Sequence, residues 1–373
     1  MDGRTRVIHA IDGKKLDRIP RFDSLWEDTV TLWEKEGYPK GADPVDYFDF
    51  DIIRMFMDVS QQFETKILKV EGEIITLKDH YGYTVKRIKG KARGTQFIDY
   101  VTKDRALWDE NKKRLIFDPA GLSRIDSVSH CRTIGTYPTW DEAKEKYDKA
   151  RKRNKFIIYD GYGPWESNWR HRGYTELLLD MLMTPDWAEE MGRCNIELII
   201  RILSHCIERD MKPDGFFIED DFCDNRGVVC GIDTWRKIYK PLYNRLGRFL
   251  RENGIYFFMH CCGNVIPLLE DLVECGVQVI QPLQASAGVD VRTLKKLFDG
   301  RLTFWGNIDV TKMSDQDESV IRKEIQEKIS VAKENGGYMY FSDHSVPPEV
   351  SFERYRLVME LLNEYGEYAD TNK

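Results

Sequence analysis

The sequence predicts an α/β protein: one (β/α)₈ TIM barrel over residues 1–373, with a β-hairpin inserted at about residues 72–90. Three observations predict it. From about residue 155, short apolar runs alternate with stretches long enough for helices, the pattern of a parallel sheet with right-handed crossovers. Helix punctuation falls between those runs. Two earlier apolar runs bring the strand count to the eight that close such a barrel.

The early strands are Ile19–Phe22 and Phe50–Arg54. Ile74–Leu77 and Tyr83–Ile88, joined by Lys78-Asp79-His80-Tyr81-Gly82, read as the antiparallel hairpin, which does not fit a βα repeat. The later strands are Phe156–Asp160, Gly215–Ile218, Ile255–Met259, Val277–Gln281, Leu302–Trp305 and Tyr338–Phe341. Thr184-Pro185-Asp186 opens a helix bearing Trp187, Met191, Cys194 and Leu198. Asp233 caps a helix to Asn253, kinked by Pro241. Asn264 caps Val265–Cys275, Ser314 a long helix ended by Gly336-Gly337, and Ser351 the last one. An open doubly wound sheet is the alternative, but no G-x-G-x-x-G follows any strand.

Lys and Arg number 56 against 63 Asp and Glu, a net charge of −7, which argues against non-specific nucleic-acid binding. Basic runs such as Lys112-Lys113-Arg114 sit among acids and read as solvated helix faces. No apolar run approaches the ~20 residues that span a bilayer, and the start, Met1-Asp2-Gly3-Arg4, has no apolar signal segment; a cytoplasmic location without membrane contact is expected. The eight cysteines then read as thiols, ligands or core residues instead of a disulfide framework.

In such a barrel the chemistry gathers at the C-terminal ends of the strands. Those ends carry Glu219-Asp220-Asp221, His260-Cys261-Cys262-Gly263-Asn264, Gly306-Asn307-Ile308-Asp309 and Ser342-Asp343-His344, while the strand at 156 runs into Gly161-Tyr162-Gly163-Pro164-Trp165-Glu166. Residues i and i+2 of an extended segment point the same way, so His260 and Cys262 can face one metal and Cys261 cannot. Imidazole and thiolate suit Zn²⁺. His344 is the expected third ligand, and Glu219 a fourth unless substrate takes that place. A bland reading stands beside this: cysteine is often an apolar core residue, and Gly263-Asn264 is a turn and helix cap. Three acids in a row exceed what capping requires. His171 reads as packing, His205 and Cys206 as core or helix-face residues, and His9, His80 and His130 have no partner pattern.

These segments, with Lys15-Leu16-Asp17-Arg18-Ile19-Pro20 at the start and His344-Ser345-Val346-Pro347-Pro348 near the end, resemble the uroporphyrinogen decarboxylase superfamily from about residue 4 to 365. The resemblance implies a single (β/α)₈ barrel and one of two chemistries. The decarboxylases carry Gln-Ala-Gly-Arg near the first strand to hold substrate carboxylates. Here Arg21-Phe22-Asp23-Ser24-Leu25-Trp26-Glu27-Asp28 lacks it and places acids instead of bases. The zinc-dependent methyltransferase branch carries His-x-Cys after the fifth strand, matched by His260 and Cys262, and a further Cys after the eighth, where this chain has His344. It implies zinc on His260, Cys262 and His344, with Glu219 or substrate completing the shell. A methyl group would pass between a small methylated substrate (methoxy, amine or thiol) and the cobalt of a separate corrinoid (cobalamin) protein. Asp220, Asp221 and Asn307 would orient substrate or relay protons, and Trp26, Tyr162 and Trp165 would wall the pocket. The rival reading is a metal-free decarboxylase using Asp51 or Asp58 with His344; a third is a binding protein that keeps the barrel.

Overall fold

The computed structural model describes residues 1–89, 94–125 and 137–368; His130 and Cys131 lie outside them. The strands are β1 (Ile52–Phe56), β2 (Lys66–Glu71), β3 (Ile74–Lys78), β4 (Tyr83–Ile88), β5 (Gln96–Tyr100), β6 (Phe156–Tyr162), β7 (Gly215–Glu219), β8 (Cys223–Asp224), β9 (Gly227–Val228), β10 (Tyr256–His260), β11 (Val279–Gln281), β12 (Thr303–Trp305) and β13 (Tyr338–Met339). Seven of them form one curled parallel sheet in the order β1-β6-β7-β10-β11-β12-β13, with helices between successive members.

The predicted first strand, Ile19–Phe22, is an extended segment joining the sheet's two edges. Arg21 makes a parallel bridge to Tyr340, Tyr340 N donates to Pro20 O at 2.8 Å, and Asp51 N donates to Arg21 O at 2.8 Å. Pro20 has no N–H, so a regular ladder cannot run through it.

The predicted hairpin is β3–β4, paired antiparallel from Ile74↔Ile88 to Lys78↔Thr84. It is the middle of a four-stranded sheet, β2-β3-β4-β5, lying in the chain between β1 and β6. β2 was not legible because all six of its residues are exposed, so no inward–outward alternation marks it.

Helix boundaries differ from the expectation in three places. The stretch 233–253 is two helices, Ile232–Ile238 and Lys240–Glu252, with Pro241 opening the second instead of kinking one. Ser314 closes a short helix, and Asp317 caps Glu318–Ala332. The segment after Asn264 is a 3-10 turn (Ile266–Leu268) running into Leu269–Glu274. Thr184-Pro185 opens Pro185–Glu208, and Ser351 caps Phe352–Gly366 by accepting from Arg354 N.

The barrel interior is aromatic. Trp305 packs against Phe217 (ring centroids 5.4 Å apart), Phe258 (5.8 Å), Phe341 (5.3 Å) and Phe22 (5.9 Å), and its indole N–H donates to Tyr340 O. Such a filled interior leaves chemistry to the strand ends above it. Among the described residues, no helix is long and apolar enough to cross a membrane.

Candidate active site

Strand register assembles the site. Tyr162 of β6, Glu219 of β7, His260 of β10 and Gln281 of β11 are register partners in successive pairs, so they form one row at the C-terminal end of the sheet. Backbone pairing continues past the row, with Asp220 N donating to His260 O and Cys261 N to Gln281 O. Extended geometry beyond His260 aims Cys262 to the same side. Gly263 then turns the chain with φ +84°, and a Cβ there would meet Asp224 O at 2.7 Å.

His260, Cys262 and Asp221 converge. His260 Nε2 lies 3.5 Å from Cys262 Sγ and 3.4 Å from Asp221 Oδ1, and one potential ligand atom from each residue lies within 4.8 Å of the other two. Cys262 N donates to Asp221 Oδ1 at 2.7 Å, which holds that carboxylate in place. On the far side of the imidazole, Nδ1 is hydrogen-bonded to Gln281 Oε1. A carboxamide oxygen can only accept, so the proton sits on Nδ1 and the Nε2 lone pair faces Cys262 and Asp221. This is the outer-sphere support a metal-binding imidazole needs.

The surroundings are acidic. Burial, then the charges of Asp221, Glu166 and Glu219, push the Cys262 thiol well above its ordinary range. Burial also raises the Glu166 carboxyl, with Arg170 opposing and Asp221 adding to the shift. Sequence reasoning passed over both Gln281 and Glu166. Glu166 ends the segment that leaves β6, and Gln281 is the one polar residue closing an apolar strand.

The other expected site residues lie elsewhere or are otherwise engaged. Glu219 is ion-paired with Arg54, which also pairs with Asp160 and lies 5.2 Å over the Phe217 ring. His344 is exposed and stacks on Trp26, ring centroids 6.1 Å apart; both stand outside the three-residue group. Asp220 is buried beneath the helix Pro164–Arg172, accepting from Trp165 N, Glu166 N and the Tyr243 hydroxyl. Gly163 makes room for it, since a Cβ there would meet the Asp220 carboxyl carbon at 2.5 Å. Asn307 has φ +82° and directs its side chain to the loop after β11: Nδ2 donates to Leu283 O and Val289 O, and Oδ1 accepts from Val291 N. Asp220 and Asn307 are thus loop and helix anchors. Trp165 is fully buried against Tyr174, so it is packing instead of pocket wall, whereas Tyr162 stays in the row and carries the Arg170 guanidinium on its ring face.

Of the rival pair, Asp51 precedes β1, at the opposite end of the barrel, where Arg6, Arg18 and Arg21 N saturate it. Asp58 follows β1 on the site's side, buried beside Arg124 at 3.6 Å. His171 bonds Thr102 and Asn168 in the core, as packing requires.

A barrel with a polar constellation at one end defines the architectural class, and comparison with known proteins supplies the family. The uroporphyrinogen decarboxylase (URO-D) profile matches residues 162–365, more than half of the chain, and the chain belongs to that family. Uroporphyrinogen decarboxylases from two strains of Thermus thermophilus are 31% identical to it over 136 residues, 35% of this chain. The match spans only 36% of the length of these curated relatives. A methyltransferase from Methanosarcina mazei superposes with a TM-score of 0.64 over 98% of this chain and 99% of its own, at 14% identity, a likeness of fold.

Proposed function

We propose that this protein is a zinc-dependent methyltransferase, with His260, Cys262 and Asp221 as the metal ligands. The observation that carries the reading is the convergence of an imidazole nitrogen, a thiol and a carboxylate on one point, with Gln281 fixing the imidazole's free nitrogen toward it. The donor set suits zinc, whose bonds are about 2.0 Å to nitrogen and about 2.3 Å to sulfur, and three protein ligands leave a fourth position for substrate. Bound there, zinc would act as a Lewis acid on the methylated heteroatom.

The chain's own residues do the rest. Gln281 and the Cys262 backbone hold His260 and Asp221 in register. Cys262 must release its proton on metal binding, so affinity falls as pH falls. Arg54 holds the Glu219 carboxylate in place, which keeps a negative charge near the thiol. The acceptor or donor of the methyl group is the cobalt of a corrinoid carried by a separate protein.

The likeness to the Thermus decarboxylases favours a second reading, a metal-free carboxy-lyase using Asp58. Elemental analysis of protein purified without chelator separates the two. One equivalent of zinc, with methyl transfer to free cobalamin from a methoxy, amine or thiol donor, is the expected result. Metal-free protein that remains metal-free after zinc addition would end the methyl-transfer reading.

A further inference from the structure

Two acids flank His260, and the structure treats them differently. Glu219 is its register partner on β7, one strand away in the same row, about 5 Å at the usual spacing of neighbouring strands. Asp221 follows two residues on and stands in the ligand group with Cys262. Glu219 is the direct neighbour in the sheet, yet it stands outside that group.

The reason lies below the row. Arg54 starts on β1 opposite Ile158 and reaches across β6 to β7. Its Nε donates to Asp160 Oδ2 at 2.6 Å, and its Nη2 donates to both Asp160 Oδ2 and Glu219 Oε1. The guanidinium carbon lies 5.2 Å over the Phe217 ring, which in turn meets the His260 ring edge-on at 6.0 Å. The side chains of Arg54, Asp160 and Glu219 are 20%, 3% and 13% exposed. Burial works against the arginine's charge, but Asp160 and Glu219 outweigh it and raise its pKa, so the cation persists. One guanidinium thus holds two carboxylates where little water reaches, and leaving either acid unpaired there is costly.

We propose that Arg54 is a positioning residue: by holding Glu219 in this ion pair, it keeps that carboxylate off the metal and leaves the fourth coordination position to substrate. The inference rests on the metal-ligand reading of His260, Cys262 and Asp221. A zinc site closed by four protein ligands is structural, while a catalytic one keeps a position open. Glu219 is the acid placed to close it. A glutamate side chain is long enough to cross one strand spacing, and after burial its charge is among those that raise the Cys262 thiol. Arg54 therefore sets the coordination number without touching the metal.

The test loads the protein with cobalt(II), a zinc stand-in with a visible spectrum, and adds ethanethiol as the probe of the open position. In the wild type the thiol should lose its proton to buffer, coordinate as thiolate and add a sulfur-to-cobalt charge-transfer band. Glu219→Gln should change cobalt affinity by no more than about threefold, since an acid held in its own ion pair contributes little elsewhere. Arg54→Gln combined with Asp160→Asn removes the clamp at unchanged net charge. That variant, its fold checked by thermal melting, should bind cobalt about tenfold more tightly and ethanethiol about tenfold more weakly, because Glu219 now fills the position. Adding Glu219→Gln to it should restore thiol uptake. Cobalt loss in Glu219→Gln, a cobalt-loaded wild type that takes no thiol, or equal thiol uptake with and without the clamp overturns the proposal and leaves the metal reading standing. The first two of these need no clamp variant to fold. A wild type that takes up neither cobalt nor zinc ends the metal reading, and the proposal with it.

Discussion

Two regions at the same end of the barrel make opposite use of polar residues. Asn307 after β12, Asp343 after β13 and Asp23 after the segment Ile19–Phe22 are buried and engaged. Asp343 accepts from Ala285 N and Val310 N, and Asp23 from the Tyr340, Tyr355 and Ser342 hydroxyls. They tie loops to the sheet. After β7 and β10, His260, Cys262 and Asp221 are half-buried and face one another more than the backbone. Position at a strand end thus selects for polarity without selecting for chemistry. What separates anchor from reagent is whether neighbouring backbone groups and hydroxyls already satisfy the whole side chain.

The contrast is sharpest in metal binding. Cys262→Ser should take zinc content from near one equivalent toward none, while Cys261→Ser, whose thiol is buried away from the group, should keep it. Zinc titration of both variants decides; the reverse pattern would move the site. Gln281→Leu should lie between, weakening zinc by roughly 10- to 100-fold as loss of an outer-sphere partner does.

On the anchoring side the effect should appear in stability. Asn307→Ala removes three hydrogen bonds to buried backbone groups at a left-handed position, so unfolding free energy should fall by about 3–5 kcal/mol with zinc affinity unchanged. Denaturant titration with and without zinc measures both, and loss of metal at intact stability would make Asn307 part of the site after all.

Asp23 offers a pH-dependent check. Burial raises its carboxyl to about 6, against the hydroxyls that lower it. The folded state then holds this proton where the unfolded chain has released it, so its contribution to stability is full below the unfolded value near 4 and is lost as pH rises through about 6. The difference amounts to about 3 kcal/mol. Asp23→Asn should flatten that part of the stability profile; an unchanged slope between pH 4 and 6 would show that Asp23 is not its source.

The smallest effect belongs to His344. As an exposed residue stacked on Trp26, its replacement by Ala should change stability by no more than about 0.5 kcal/mol and leave zinc content intact. Loss of zinc in that variant would mean that His344 joins the ligand group on metal binding, and the three-residue assignment would need a fourth member.

Much of this was legible in one dimension. Apolar runs between helix-length segments located β1, β6, β7 and β10 to β13 within a few residues, because burial on both faces makes parallel strands continuous in composition. The same alternation that put His260 and Cys262 on one side also separated Asp220 from Asp221. β2 and β5 are not legible in the sequence because a mostly exposed edge carries no pattern, and Ile19–Phe22 is an extended segment instead of a regular strand because Pro20 interrupts its ladder.

The sequence by itself determined the fold class, the strand ends and the His260–Cys262 pair, all consequences of short-range periodicity. Only the tertiary structure chose Asp221 over Glu219 and His344 as the third member, set Gln281 behind His260, and brought Arg54 across to Glu219. Those choices depend on register between strands far apart in the chain and on which acid an arginine such as Arg54 has already claimed. Neither is written in local spacing, because ion pairing and hydrogen bonding at close range are decided by distances that exist only once the sheet has curled.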